Sequence, residues 1–248
     1  MTREVSSISR VGTSEPVELQ ISRGHIAYHT PLFKYGYNPA IVNANETIWD
    51  VGGIYAYPGS AVAMTATSTT AGDDEDVKVN ILGLDTNYNE INEEVTLNAS
   101  GTATTDATFL RVFRAFVSGD TAPTGTINIT NTAVTYARII AGENQTLMAV
   151  YTVPAGKTLY LTQAVATHGT DNSGAYMTVR FMVRQFGKVF RTALKVDLIN
   201  NELIFPFNQP LKITEKSDVE VRAICSKNQT NAIAAILDGI LIDNGSYL

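Results

Sequence analysis

The chain has 248 residues, of which 44% are apolar and only 17% are charged, and its formal net charge is −6. Soluble domains carry about 25% charged residues on average, so Thr, Asn, Ser and Gly replace charge here, as is typical of short strands and tight turns. The acidic balance argues against an electrostatic nucleic-acid binder, because no basic surplus neutralises phosphates. The single cysteine, Cys225, excludes an internal disulfide framework.

The first segment, residues 1–45, shows neither helical nor alternating periodicity, because Pro16, Pro31 and Pro39 interrupt it. It lacks the apolar region of a signal peptide, and no apolar run in the chain reaches the length of a membrane span, so we expect neither secretion nor membrane insertion. The segment is nevertheless rich in aromatic residues, which a solvated linker does not need. We therefore predict an extended N-terminal arm that orders against a neighbouring subunit or partner.

The second segment, residues 46–133, contains short apolar runs separated by turn signals such as Gly52-Gly53 and Gly83-Leu84-Asp85. Alternation of apolar and polar residues is clear in 77–81 and 91–97, which indicates half-buried strands. About seven strands at regular spacing predict a small antiparallel β-sandwich.

The third segment, residues 134–248, includes the stretch 144–165, in which two apolar runs flank Pro154 and Gly156 and predict a strand, a turn and a second strand. Roughly eight strands follow this pattern, the number of a jelly roll. The run 232–242 is almost wholly apolar and predicts a central strand, with Asp238 as its polar exception. The predicted fold class is all-β: two antiparallel β-sandwich domains, the second jelly-roll-like, behind the N-terminal arm.

Side chains capable of chemistry are few and scattered. The acidic run 73–76 lacks the ligand spacing of a calcium loop, which favours a solvated hairpin tip. His25 and His29 lie four residues apart but have no third ligand nearby, which disfavours a zinc site. Trp49, with Tyr55 and Tyr57, is compatible with sugar stacking, although core packing is favoured. We predict no catalytic site, no cofactor and no metal ion.

Five motifs occur in a fixed order: YGYNP at 35–39, IWDVGG at 48–53, GLD at 83–85, FLRV at 109–112 and QTLMAVYTVPAGKT at 145–158. Together they resemble a group of structural proteins from tailed bacteriophages. The resemblance implies a non-enzymatic virion component, either a decoration, cement or fibre-like protein of the head or a fibre adaptor of the tail. It supplies no catalytic residues.

These observations lead to the prediction of a capsid decoration or cement protein that binds the major capsid protein as a homotrimer. We expect it on the outer surface of the head, assembled in the host cytoplasm, with no nucleic acid and no membrane as partner. The alternatives are a tail fibre adaptor or a receptor-binding or carbohydrate-binding tail component, and, from another class, a carbohydrate-active enzyme or a lectin-like domain. Apolar anchors predicted to make subunit or partner contacts are Tyr28, Phe33, Tyr35, Tyr37, Trp49, Phe113, Phe116, Ile236 and Leu237.

Overall fold

The computed structural model describes residues 15–169, 174–199, 202–227 and 230–245. Within these ranges the chain forms antiparallel sheets, and the predicted all-β sandwich class is confirmed. The one helix described, α1, spans Val17–Ser22, and no helix in these ranges is long and apolar enough to cross a membrane. The strands are β1 His29–Ile41, β2 Glu46–Thr47, β3 Val62–Ser68, β4 Lys78–Leu84, β5 Glu90–Thr96, β6 Thr102–Phe109, β7 Arg111–Val117, β8 Ile127–Asn131, β9 Val134–Ile139, β10 Val150–Thr152, β11 Lys157–His168, β12 Met177–Arg184, β13 Arg191–Leu198, β14 Glu202–Ile213, β15 Asp218–Cys225 and β16 Asn231–Asp243.

Eight of these strands form a jelly roll. One sheet has the order β1-β16-β11-β14, and the other has the order β10-β15-β12-β13, with β2 paired to β15. The strands pair as nested antiparallel couples, β1 with β16, β10 with β15, β11 with β14 and β12 with β13. This is the pattern of one long antiparallel ribbon rolled into two packed sheets, a double Greek key.

The alternation of buried and half-buried residues along β16 shows why the two sheets stack. Ile233, Ala235 and Leu237 point inward and are at most 1% exposed, whereas the residues between them are half-buried on the other face. A strand with period 2 presents one apolar face, and two such faces interdigitate to form the core of a sandwich. Phe181 on β12 and Val221 on β15 contribute to this core from the second sheet.

A second, smaller β-sandwich is inserted between β2 and β10. Its sheets have the orders β6-β3-β8-β9 and β5-β4-β7, and its own core includes Met64, Phe109 and Ile129. The insertion lies in a single connection of the jelly roll. Two packed sandwiches, each with a separate core, match the number of domains that the sequence predicts.

The predicted domain boundaries require two corrections. The arm predicted over 1–45 contains β1, which is an integral strand of the jelly roll, paired along its length to β16. Strand β9, predicted to belong to the second domain, lies in the small sandwich. The jelly roll is therefore discontinuous in sequence. The sequence pattern did not predict β1 because Pro31 and Pro39 interrupt it. A strand at the edge of a sheet nevertheless tolerates proline, because a missing N–H group there needs no ladder partner.

The stretch 144–165 forms two strands, as predicted, but they do not pair with each other. β10 belongs to one sheet and β11 to the other. The connecting turn places Gly156 at φ +73°, a left-handed conformation that glycine adopts without steric cost. This turn is a corner of the jelly roll at which the chain crosses from one sheet to the other.

Candidate interaction surface and domain junction

The junction between the two sandwiches centres on Asp218, at the start of β15. Its side chain is 4% exposed and accepts hydrogen bonds from Arg111 Nε at 2.8 Å and Thr152 Oγ1 at 2.6 Å. Arg184 Nε also donates to the carboxylate, at 2.8 Å. Because Arg111 belongs to β7 of the small sandwich, this charge-assisted bonding fixes one domain against the other.

Aromatic rings surround these charges. The Tyr57 ring lies 4.3 Å from the Arg184 guanidinium carbon and 5.1 Å from that of Arg111, both within the range of cation–π attraction. Burial, together with the nearby Glu220 carboxylate, raises the pKa of the Tyr57 hydroxyl well above its usual value. The hydroxyl therefore stays protonated and donates a hydrogen bond to Glu220 Oε2 at 3.2 Å. Arg222 neutralises Glu220 at 2.8 Å, so the two buried carboxylates Asp218 and Glu220 each have a cationic partner.

A second junction contact involves a buried amine. Lys34 on β1 is 7% exposed, and its Nζ donates a hydrogen bond to the Phe113 carbonyl of β7. Within the described part of the chain it makes no ion pair. Burial, with a smaller contribution from Arg114, lowers the pKa of Lys34 to about 7. The amine therefore favours its neutral form far more in the folded chain than in the unfolded one.

We expect Lys34→Met to stabilise the protein at neutral pH and to flatten its pH dependence. The unfolded amine binds a proton below pH 10.5 and the folded amine only below about 7. Stability of the unmodified chain therefore rises with pH across that window and falls as pH is lowered. Removing the amine should raise the free energy of unfolding at pH 7 by about 2 kcal/mol, after allowance for the lost hydrogen bond. Urea unfolding at pH 7 and pH 9.5 measures this, and a variant less stable than the unmodified chain at pH 7 would contradict it.

The outer face of the sheet containing β1 carries an apolar row that crosses all four strands. Tyr35 pairs with Ile236, Ile236 with Val165, and Val165 with Ile204, so these side chains lie side by side on the same surface. Phe33, one step along β1 on the same face, is 64% exposed, and Ile204 is 56% exposed. Outer faces of sandwiches are usually polar. We call Phe33, Tyr35, Tyr37, Val165, Ile204 and Ile236 the apolar face.

The structure separates the predicted contact residues into those on the apolar face, those buried in the cores and two that lie elsewhere. Phe33, Tyr35, Tyr37 and Ile236 meet on the apolar face, although they come from opposite ends of the chain. Residues buried in the cores of this chain, and so withdrawn from any partner, are Trp49, Phe113 and Leu237. Tyr28 is 59% exposed just before β1, and Phe116 is half-buried in the small sandwich beneath the Arg114 guanidinium.

Two residues that the sequence offered as possible calcium or sugar ligands have structural roles instead. Asp74, within the acidic run, is fully buried and accepts hydrogen bonds from the Thr124 and Gly125 amides, which fixes a turn. Trp49 donates to the Gly52 and Gly53 carbonyls from inside the small core, so it forms no sugar platform. Among the described residues, no group of three His, Cys, Asp or Glu side chains is placed to hold a metal ion.

Sequence reasoning missed the junction residues Asp218, Arg184 and Lys34. Arg111 did leave a signal, because it and Arg114 interrupt a run, 110–117, that is otherwise apolar on both faces. A charge within such a strand calls for a buried partner. Its partner lies 107 positions away in the sequence, so spacing could not identify it.

No protein-family model and no curated protein matches this chain. Among solved structures, a chain from the infectious bursal disease virus Gx strain is 15% identical, with 88% of this chain and 73% of that chain covered and a TM-score of 0.26. A chain from the crystal structure of the infectious bursal disease virus VP2 subviral particle is 12% identical, with 89% and 73% covered and a TM-score of 0.22. Scores this low carry no argument about function.

Proposed function

We propose that this chain is a non-enzymatic structural subunit of a bacteriophage virion, a decoration or cement protein that binds the major capsid protein. The observation that carries the proposal is the apolar face, a solvent-facing sheet surface lined by Phe33, Tyr35 and Ile204. Exposed contiguous apolar surfaces of this kind mark sites of protein association. The motif resemblance to phage structural proteins supplies the virion context.

The two coupled sandwiches support the proposal of a structural role for the subunit in a shell. Jelly rolls build viral shells, but they also build lectins and cupins, so the fold by itself does not select a function. The ion pair between Asp218 and Arg111 favours a shell component, because it holds the two sandwiches together as a stiff unit. We propose that the apolar face joins copies of this chain into a trimer and that the small sandwich contacts the coat. Several modest contacts per trimer would then combine into durable attachment.

Ile236→Asp should convert the trimer into monomers without unfolding them. Ile236 is half-buried at the centre of the apolar face, so a carboxylate there stays hydrated in the monomer but loses water in a trimer. We expect the association constant to fall by at least about 100-fold. Mass photometry across a concentration series measures this. Asn92→Asp, an exposed position on β5, adds the same charge outside the face and should leave the trimer intact.

Two outcomes count against this assignment. If Ile236→Asp leaves the assemblies unchanged, the apolar face is not the subunit contact. If the unmodified chain is monomeric at all concentrations, the trimer is wrong. Leu237, the next residue, is unsuitable for this test because it lies in the core, where substitution affects folding before association.

The alternative, a tail fibre adaptor or receptor-binding tail component, predicts a different copy number. A shell protein occurs in many copies per particle, and a tail component in few. Quantitative mass spectrometry of purified virions, together with a particle image that locates the chain, separates the two. Density for the chain on the tail alone would overturn the proposed head location.

A further inference from the structure

A cavity of about 300 Å³ opens at the junction between the two sandwiches. The small sandwich contributes Tyr88 and Arg111 to its wall, and the jelly roll contributes Arg184, Phe186 and Lys216. Asp218 lies at its floor with a side chain that is 4% exposed. Clefts between domains are common ligand sites, and this volume suits a small molecule.

Charge in this cavity opposes that of the whole chain. Four basic side chains, Arg111, Arg184, Lys188 and Lys216, line it together with one carboxylate, in a protein whose net charge is −6. Two of them, the arginines, already neutralise Asp218. Within the described ranges, neither Lys188 nor Lys216 forms an ion pair. The cavity therefore holds a positive charge in excess of what its own acid balances.

Lys216 places part of this excess positive charge beside two aromatic rings of the cavity. Its backbone has φ +60°, a left-handed conformation that is uncommon for a residue other than glycine. Its Nζ lies 5.8 Å from the Tyr88 ring centre and 5.6 Å from that of Phe186, and the two rings meet edge to face at 5.7 Å. The half-buried ammonium thus stands beside an aromatic surface, and an ammonium carries three N–H donors that can meet an acceptor.

We propose that this cavity binds a small organic anion in which a phosphate or carboxylate group is attached to an apolar body. Lys216, Lys188 and the accessible edge of Arg184 receive the oxygens, because ammonium and guanidinium donors form short, charge-assisted bonds to such groups. The rings of Tyr88 and Phe186 cover the apolar body. This site does not depend on the trimer or on the apolar face, which lies on the outer surface of the other sheet.

Isothermal titration calorimetry of the full chain with phenyl phosphate and with inorganic phosphate, at constant ionic strength set by NaCl, tests the proposal. We expect phenyl phosphate to bind with a dissociation constant below about 1 mM and more tightly than inorganic phosphate. Lys188→Met combined with Lys216→Met should weaken phenyl phosphate binding at least tenfold, since two charged donors are lost. Lys195→Met, on an exposed position of β13 outside the cavity, should bind like the unmodified chain.

Each result is decisive for a stated part of the proposal. No heat above the NaCl control, or equal binding by the double variant, would overturn the site. Equal affinity for the two probes would overturn the assignment of an apolar body. A thermal midpoint of the double variant within about 3 °C of the unmodified chain confirms that weakened binding is not a folding defect.

Discussion

Asp218→Asn is expected to lower the free energy of unfolding by about 3–5 kcal/mol, because it leaves the Arg111 guanidinium buried without a counter-charge. The Arg111 side chain is only 8% exposed, so water compensates poorly for the lost carboxylate charge. The amide keeps the shape of the aspartate but offers a single acceptor oxygen to a cluster in which Arg111, Arg184 and Thr152 all donate. Thermal unfolding should show a midpoint lower by about 10 °C.

Asp243→Asn is the matched control for this substitution. Asp243 also faces a cation, Lys157 Nζ at 3.6 Å, but its side chain is 45% exposed. Exposed pairs contribute little, so we expect a change of at most about 0.5 kcal/mol. Adding Arg111→Met to Asp218→Asn should recover part of the lost stability, since the unpaired buried charge is removed. A loss below about 1 kcal/mol for Asp218→Asn alone would show that the junction is more hydrated than its geometry indicates.

Gly36→Ala should lower the free energy of unfolding by about 3 kcal/mol and loosen β1 from the jelly roll. A methyl group at Gly36 would overlap the Ala149 amide nitrogen and come within 2.5 Å of the Ile48 carbonyl oxygen. These two groups are hydrogen-bonded to each other at 3.0 Å, so neither moves without breaking that bond. Limited proteolysis, followed by mass spectrometry of the fragments, would detect cleavage within β1.

Gly59→Ala provides the comparison for this effect. A methyl group at Gly59 meets nothing within 4 Å, and neither glycine has a positive φ. The two substitutions therefore have the same effect on the unfolded chain and differ only in the space available in the folded one. We expect Gly59→Ala to be neutral or slightly stabilising. Equal stability of the two variants would show that β1 is not packed tightly against the connections that lead to the small sandwich.

Local pattern determined much of the secondary structure. Alternation in 77–81 and 91–97 predicted strands that the structure contains as β4 and β5. The acidic run 73–76 was predicted to be a solvated hairpin tip, whereas Asp74 within it is fully buried and accepts hydrogen bonds from two backbone amides. Arm residues such as Phe33 and Tyr35 were singled out for their aromatic character, and the structure places them on the apolar face.

Pairing between distant segments determined the rest. The sequence by itself established the all-β class and the presence of two sandwiches, since period-2 alternation and turn residues act within a few positions. Only the tertiary structure showed that β1 completes the jelly roll, because its partner β16 lies some 200 residues later. The same holds for Asp218 and Arg111, whose burial together depends on how two separate cores dock. Burial and strand register are long-range properties, and a local pattern cannot specify which distant segment will supply the partner.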